Sequence, residues 1–404
     1  MSTSLLYHGF GLIGYTYVKT AYEEGKVIFT IAHKRDRLHC PACGSRDLVL
    51  RGCSPRRFRL VPIGSKAIFL DLDVQRIACR RCDTVRQVEL GFADSRFSYT
   101  RAFERYVLEL SKHMTILDVA RHLHVSWDVV KDIQKRYLKK KFSRPALKDL
   151  RYLAIDEIAV KKGHTYVTVV LDLESGAVIF VGDGKGADAL IPFWKRLRHS
   201  RATVEAVAID MSPAYMSAVM KHLPNATIVF DHFHVVKLFN DKLSNLRREL
   251  YREATDQLQK DVLKGTRWLL LKNPGNLDEK KAEKERLDEA LRMNEPLYTA
   301  YYLKEDLREV WNQPSKKKAT KVLDEWIRKA SSSSISVLKT LSKTLSAYKS
   351  GILAYYDFPI STGPLEGTNN KIKTMKRQAY GFRDMEFFKL KIMGLHETKY
   401  ALVG

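Results

Sequence analysis

The chain has 404 residues, 45% of them apolar, which is ordinary for a soluble globular protein and allows about two to four domains with a sizeable core. The net charge of +24 predicts a polyanionic partner, either nucleic acid or an anionic membrane surface, against the alternative of a merely soluble basic protein. Basic residues are in excess both in residues 1–150 and in the remainder, which favours long DNA over a local membrane patch as the partner. No apolar run is long enough to cross a bilayer.

The N-terminal stretch MSTSLLYHGFGLIG has neither the positive flank nor the cleavage site of a signal peptide. The chain has five cysteines, an odd number, and four of them form two Cys-x-x-Cys pairs. In a chain without an export signal this favours metal binding over disulfides. We therefore expect a cytoplasmic protein.

The two cysteine pairs predict a structural zinc site. They are Cys40 with Cys43 and Cys79 with Cys82. Each pair lets two thiolates from one tight turn reach the same tetrahedral Zn²⁺. Between the pairs we predict two strands joined by a turn at residues 62–65, which would bring the pairs together as in a zinc ribbon. Because protein thiolates fill all four positions, the zinc would be structural, and Cys53 is left as an incidental thiol.

Residues 98–141 have a helical pattern, and TILDVARHLHVSWDVVKDIQKRYLKKK predicts a helix-turn-helix. Small Ala120 would lie where the first helix meets the second, and Val130 would face the core. Ser126 would cap the second helix, which would enter the major groove of DNA. The alternative is an ordinary helical hairpin with a solvated charged face. The candidates for contact with bases or phosphates are Lys131, Lys135 and Arg136, with Lys139, Lys140 and Lys141 for phosphate.

Residues 151–240 alternate predicted strands and helices, and acidic residues punctuate the strands. Asp156 ends the apolar part of YLAIDEIAV, and Asp210 ends that of VEAVAIDMSPAY. Asp231 follows the next strand and by local pattern is as good a candidate as Asp210. We prefer Asp210 because its strand would be central and beside the first, and we keep Asp231 as an auxiliary acid or a residue that positions DNA. Turn or N-cap roles are the alternative for each of these acids.

A third acidic residue, Glu366, follows Gly363-Pro364, where a helix is predicted to begin. Steps of +4, +7 and +11 along a helix place on its face Asn370, Lys373 and Arg377. A carboxylate that shares a face with an amide and two cations suits a metal site beside a phosphate backbone. Three carboxylates from distant segments can hold two divalent ions for phosphoryl transfer, and oxygen ligands suit Mg²⁺ or Mn²⁺.

Four long motifs resemble the DDE transposases of bacterial insertion sequences, with the ISL-three family as the nearest group. They are AIDEIAVKKGHTYVTVVLDL, VAIDMSPAY, IVFDHFHVVKLFN and STGPLEGTNNKIKTMKRQAYGFRD. The resemblance covers about residue 40 to the C-terminus. It implies a multi-domain α/β chain with an N-terminal zinc ribbon, a helix-turn-helix and an RNase H-like catalytic core interrupted by an all-helical insertion.

The resemblance also implies roles for individual residues. Asp156, Asp210 and Glu366 would hold two catalytic Mg²⁺ or Mn²⁺ ions. Trp268, in the insertion, would stack on a flipped base near the cleaved DNA end, against the alternative of a core tryptophan. The expected domains are a zinc ribbon (1–97), a helix-turn-helix (98–145), the first part of the core (151–240), the helical insertion (241–355) and the second part of the core (356–404).

The function implied is a DNA transposase, acting as a homodimer or larger assembly in the bacterial cytoplasm at the nucleoid. It would bind the terminal inverted repeats of its element, cleave the DNA at the element's end to free a 3′-OH, and transfer that end to double-stranded target DNA. Two alternatives stay open: a zinc-ribbon and helix-turn-helix regulator without enzyme activity, and an RNase H-like nuclease that cuts specific DNA structures without joining them. A transposase that has decayed is a further possibility, against which the intact acids argue.

Overall fold

A computed structural model describes residues 5–161 and 165–396. The chain divides into two compact units, one of residues 1–143 and 374–404 and the other of residues 144–373. Within the described ranges, no helix combines the length and the apolar composition needed to span a membrane.

The first unit begins with a short helix, α1 (Leu5–Phe10), followed by a five-stranded sheet. The strands are β1 (Tyr15–Glu23), β2 (Lys26–His33), β3 (Leu48–Arg59), β4 (Ile68–Cys79) and β5 (Val85–Gln87). The strand order is β1-β2-β4-β3, and β5 pairs with β4. Alternate residues of β4, namely Ile68, Leu70 and Leu72, are buried in one core with Phe58, as expected for a strand with one apolar face. The hairpin predicted between the cysteine pairs is confirmed as β3 and β4.

Three helices follow: α2 (Arg101–Leu110), α3 (Ile116–Leu123) and α4 (Trp127–Phe142). The predicted helix-turn-helix is α3 and α4. Ala120 and Val130 are buried where these helices meet, as predicted. Ser126 caps α4, since its side chain accepts a hydrogen bond from the Val129 N–H. His124 turns the chain with a left-handed φ of 51°.

The second unit contains a mixed sheet of β6 (Tyr152–Lys161), β7 (Thr165–Asp172), β8 (Val178–Asp183), β9 (Ala206–Ile209) and β10 (Thr227–Phe230). The order is β10-β9-β6-β7-β8: β6, β7 and β8 pair antiparallel, while β9 and β10 run parallel to β6. The helices α5 (Ile191–Ser200) and α6 (Pro213–His222) precede and follow β9 along the chain. Three antiparallel strands followed by two parallel ones on the other side of the first strand make the RNase H-like arrangement that the sequence predicts.

A helical insertion follows β10. Its helices are α7 (His232–Glu253), α8 (Gln257–Gly265), α9 (Glu283–Met293), α10 (Glu295–Arg308), α11 (Lys316–Ser332), α12 (Ser336–Ala347) and α13 (Lys349–Leu353). Phe239, Leu243 and Trp326 belong to the same hydrophobic core as Ile155 and Val207 of the sheet. The insertion and the sheet are therefore packed as one body.

The last helices are α14 (Gly363–Gln378), which crosses the boundary between the two units, and α15 (Met385–Met393). The helix predicted to begin at Gly363-Pro364 is thus confirmed. Phe387 and Leu390 of α15 pack on Leu138 and Phe142 of α4, so α15 belongs to the first unit. The two units divide the C-terminal region differently from the predicted second part of the core (356–404), and the five predicted domains stay predictions.

Candidate functional site

The three aspartates predicted from strand ends lie in one row at the carboxyl edge of the parallel strands. Ala154 of β6 pairs with Ala208 of β9, and Ile209 of β9 pairs with Phe230 of β10. Extending these registers along the chain sets Asp156 level with Asp210, and Asp210 level with Asp231. Because residues level on neighbouring parallel strands point to the same side, segments far apart in sequence bring these acids together.

Asp156 is held at both carboxylate oxygens. Its Oδ1 accepts the Glu157 N–H at 2.7 Å, and its Oδ2 accepts the Asn369 Nδ2–H at 2.8 Å. Burial raises the pKa of the Asp156 carboxyl above its ordinary value, and the nearby carboxylates of Asp210 and Glu157 add to the rise, while the Glu157 N–H bond and His234 act against it. A cation at this edge of the sheet would relieve that repulsion.

Asp210 and Asp231 differ in what they touch. One oxygen of Asp210 accepts the Ser212 N–H at 3.1 Å. Asp231 is only 3% exposed, and its Oδ1 caps α7 by accepting the Phe233 N–H at 2.7 Å. Its Oδ2 accepts both the N–H and the hydroxyl of Thr362, at 2.6 and 2.5 Å. Asp231 therefore ties the start of the insertion to the segment that precedes α14.

Glu366 lies in the first turn of α14 and is exposed, as are Asn370, Lys373 and Arg377. The predicted face of the helix is therefore turned to solvent. Asn369 of α14 contacts the sheet through Asp156, and the sequence analysis missed it.

A pattern in the sequence does mark Asn369. Leu365, Asn369 and Ile372 form the buried side of α14, so a single amide interrupts a stripe that is otherwise apolar. A polar residue at a core position of a helix calls for a buried partner, and that partner is Asp156.

The donor atoms at this edge suit a hard divalent cation. Asp156, Asp210 and Glu366 offer carboxylate oxygens, the ligands preferred by Mg²⁺ and Mn²⁺. The three carboxylates do not all lie within 4.8 Å of one another in the part of the chain that the structure describes. A site of two ions held about 3.5–4 Å apart does not require all three carboxylates to lie that close to one another.

The four cysteines of the N-terminal pairs form a compact group. Their sulfur atoms all lie within 4.8 Å of one another, with Cys40 Sγ 3.6 Å from Cys82 Sγ and Cys43 Sγ 3.6 Å from Cys79 Sγ. Tetrahedral Zn–S bonds of about 2.3 Å place sulfurs about 3.8 Å apart, so the group fits a structural Zn²⁺. Cys53 lies outside it and is exposed.

The basic residues predicted to contact DNA from α4 have acidic partners inside the first unit. Lys131 and Lys135 approach Asp384, the N-cap of α15, at 3.1 and 3.0 Å. Lys135 also pairs with Glu386, at 2.8 Å, as does Lys139.

Arg136 faces the other way and joins α4 to α2. It pairs with Glu104 at 2.8 Å and donates a hydrogen bond to the Tyr99 hydroxyl at 2.7 Å. The proposed contacts of Lys131, Lys135 and Arg136 with DNA stay predictions, and these intramolecular pairs would have to coexist with DNA binding or give way to it.

The tryptophans of the insertion differ in exposure. The Trp268 side chain is 64% exposed, with the Arg267 guanidinium 4.6 Å from its ring centroid. Trp326 is buried and donates a hydrogen bond to the Leu303 carbonyl at 2.6 Å. An exposed aromatic ring beside a cation can stack on a base. The Trp268 ring is accessible for such stacking, and this role stays a prediction.

Family models match three parts of the chain. One described as Transposase matches residues 153–392. One described as the helix-turn-helix domain of transposase family ISL3 matches residues 88–138, and one described as the zinc-finger of transposase IS204/IS1001/IS1096/IS1165 matches residues 36–82.

Full-length relatives agree with these matches. The chain is 35% identical over 359 residues to the transposase for insertion sequence element IS1001 of Bordetella parapertussis, covering 87% of each chain. It is 29% identical to the transposase for insertion sequence element IS1557 of Mycobacterium tuberculosis, over 85% of this chain and 82% of that one. The Drosophila P element transposase strand transfer complex is a solved structure with a TM-score of 0.34 at 11% identity, over 67% of this chain and 82% of that one, a likeness too low to compare sites. The matched zinc-finger, helix-turn-helix and transposase regions, together with the IS1001 relative, show that the chain belongs to the transposase family ISL3.

Proposed function

We propose that this transposase binds the terminal inverted repeats of its own insertion sequence, cleaves the DNA at the element's ends and joins those ends to target DNA, using Asp156, Asp210 and Glu366 as its catalytic carboxylates. The observation that carries the proposal is the row of acids at the carboxyl edge of the parallel strands, with the start of α14 joined to it through the bond from Asn369 to Asp156.

The carboxylates and the basic side chains have different roles at this site. Asp156 and Asp210 lie close enough for their charges to interact, and Glu366 adds a third carboxylate from the solvent side of α14. Mg²⁺ or Mn²⁺ bound by these carboxylates would activate the attacking oxygen and stabilise the leaving oxygen. The exposed side chains of Asn370, Lys373 and Arg377 continue from Glu366 along α14 and would hold the phosphate backbone in place.

Two steps at phosphodiesters follow from this arrangement. In the first, water attacks the scissile phosphorus and displaces the 3′ oxygen, which frees a 3′-OH at the element's end. In the second, that 3′-OH attacks a phosphodiester of the target strand, so one P–O bond forms as another breaks and no energy source is consumed. No covalent link between protein and DNA is required.

Asp210 is preferred over Asp231 as the second catalytic acid because of their contacts. Asp231 accepts three hydrogen bonds from backbone and hydroxyl donors in a buried site, two of them at Oδ2, so that oxygen has no lone pair left for a metal ion, whereas one oxygen of Asp210 accepts a single N–H. We assign Asp231 to holding the site together.

DNA recognition is proposed for the helix-turn-helix, with the zinc ribbon as its support. Two element ends must be brought together before strand transfer, so we expect a homodimer or a larger assembly on the DNA.

The test is cleavage and strand transfer on labelled element-end DNA with Mg²⁺. Asp156→Asn, Asp210→Asn and Glu366→Gln should each lower the rate of both reactions by roughly 1000-fold, since losing a metal ligand removes several kcal/mol of transition-state stabilisation. Binding of the end DNA should be kept. Glu205→Gln is the matched control, because Glu205 precedes β9 at the opposite edge of the sheet and pairs with Arg151.

Other results would point elsewhere. Full activity of Asp210→Asn with loss of chemistry, but not of folding, in Asp231→Asn would move the second catalytic role to Asp231. Wild-type protein that cuts ends but never joins them would favour the nuclease, and binding without cutting under either metal would favour the regulator.

A further inference from the structure

We propose that Asn369 is a positioning residue for Asp156, fixing the direction of its carboxylate and its distance from Glu366. The proposal rests on the proposed function, since it gives Asn369 a role at the same carboxylate site.

An asparagine is unusual at the buried helix position that residue 369 occupies. It is 6% exposed and occupies the buried stripe of α14 between Leu365 and Ile372, where an apolar side chain would pack equally well. Its Nδ2 donates to Asp156 Oδ2 at 2.8 Å, while its Oδ1 is buried and, among the described residues, has no hydrogen-bond partner. A buried amide satisfied on one side only is a net cost to folding, so packing does not account for it.

The carboxylate of Asp156 gains a fixed orientation from this contact. The Glu157 N–H holds Oδ1 at 2.7 Å and Asn369 holds Oδ2, so rotation of the carboxylate about its χ2 bond is opposed at both ends. Each oxygen keeps a lone pair for a further ligand. Partners that orient a ligating side chain in this way typically change metal affinity or activity by about 10–100-fold when they are lost.

Asn369 also links two of the catalytic acids. It lies three residues after Glu366 on α14, and side chains three residues apart on a helix are neighbours, about 5–6 Å between their Cβ atoms. The bond from Asn369 to Asp156 therefore helps to set the distance between the strand that carries Asp156 and the helix that carries Glu366. The bonds from Thr362 to Asp231 anchor the start of the same helix, about two turns before Asn369.

The test compares Asn369→Leu with a matched control, Asn240→Leu. Asn240 of α7 also has a buried Oδ1 without a partner among the described residues, but it has no bond to a catalytic acid. Three quantities are measured on each full-length protein: the Mn²⁺ dissociation constant by titration calorimetry, the rate of cleavage of element-end DNA, and the melting temperature.

Asn369→Leu should weaken Mn²⁺ binding and slow cleavage, each by roughly 10–100-fold, and leave the melting temperature unchanged or higher. Asn369→Asp, which keeps the shape and loses the donor, should behave in the same way or worse. Asn240→Leu should leave Mn²⁺ binding and cleavage unchanged.

The proposal fails if Asn369→Leu binds Mn²⁺ and cleaves DNA like the wild type, or if it merely lowers the melting temperature. Those outcomes are separate from a failure of the proposed function, which Asp156→Asn and Glu366→Gln reveal: if either of these variants stays fully active, the carboxylate site itself is misassigned.

Discussion

Carboxylates of the same chemistry have different roles in this chain according to their neighbours. Asp231 is buried and bonded at both oxygens, whereas Asp210 lies beside another carboxylate and has one bonded oxygen. Asp384 caps α15 by accepting the Phe387 N–H and faces two lysines of α4.

Asp384 should make the stability of the first unit depend on pH in acid. Partial burial would raise the pKa of its carboxyl, but the Phe387 N–H and the amines of Lys135 and Lys131 outweigh burial and bring the pKa down to about 2. Because this folded-state pKa lies below the ordinary value of about 3.9, Asp384 adds stability above that value, and the addition is lost as the pH falls from about 4 towards 2.

The measurement is the urea midpoint of wild type and Asp384→Asn between pH 2 and 6. The wild type should be the more stable at pH 6, and the gap should close towards pH 2. Taking the difference between the two proteins removes the acid effects of groups that touch neither Asp384 nor its lysines, and carrying Glu386→Gln in both proteins removes that of Glu386, which shares Lys135 with Asp384. A gap that is constant over this range would contradict the assignment.

The contacts of individual residues were the part of the site that the sequence did not predict. The local patterns around Asp210 and Asp231 are alike, and what separates the two acids is Thr362, more than a hundred residues later in the chain. The choice of Glu366, Asn370 and Lys373 followed helical periodicity, which gives a face but not the structure that the other face meets. Asn369 was therefore missed, although a polar residue in an apolar stripe was visible.

At the scale of elements, the backbone of one helix packs directly against a buried aromatic ring beside the site. A Cβ added at Gly351 of α13 would lie 2.4 Å from the Phe230 ring, at the end of β10 and directly before Asp231. A glycine is needed there because the helix lies against a buried ring. In contrast, a Cβ at Gly367 of α14 would meet nothing within 4 Å.

Gly351→Ala should therefore destabilise the second unit by roughly 1–3 kcal/mol, the usual cost of overpacking a core. Gly367→Ala serves as the matched control and should stabilise it by about 0.5–1 kcal/mol, since alanine is the better helix former at an exposed position. Urea unfolding followed by far-UV circular dichroism measures both. Equal effects of the two substitutions would show that the approach of α13 to β10 is looser than described.

The sequence predicted the strands and helices better than it predicted contacts between individual residues. Strand alternation and the spacing of Gly and Pro predicted β6 to β10, the β3–β4 hairpin and the start of α14, because these patterns are set by local geometry. The pairing of α15 with α4 was not predicted. It rests on the packing of Phe387 and Leu390 against Leu138 and Phe142 and on ion pairs such as that of Lys139 with Glu386, all between residues distant in sequence.

At the scale of the whole molecule, the two units have separate hydrophobic cores. One core contains Phe58 and Leu70 of the zinc-ribbon sheet, and the other contains Ile155 of the mixed sheet and Trp326 of the insertion. The sequence predicted the order of the regions along the chain, and the assignment of residues 356–404 to the catalytic core, which the family resemblance implied, stays a prediction.

Removing zinc should therefore unfold one part of the molecule and spare the other. Four thiolates with no metal repel one another or must be protonated, and the β3–β4 hairpin loses the tie at its base. With a strong chelator, amide hydrogen exchange in β3 and β4 should accelerate by at least about 10-fold while that in β6 and β7 stays as it was. Cys79→Ser should mimic the chelator without it. Equal acceleration in both sheets would mean that the two cores unfold together.

Hydrogen bonds from Thr362 to Asp231 join the two ends of the insertion. They allow the length of the insertion to change during evolution while its ends stay in place. The two ends of more than a hundred residues are joined by two hydrogen bonds, directly before α14 and directly after β10. Since closing a longer loop adds only about 0.6 kcal/mol for each doubling of its length, residues gained or lost at the outer turns, such as Pro274–Asn276, leave the carboxylates where they are. Lineages can therefore remodel the insertion without rebuilding the carboxylate site.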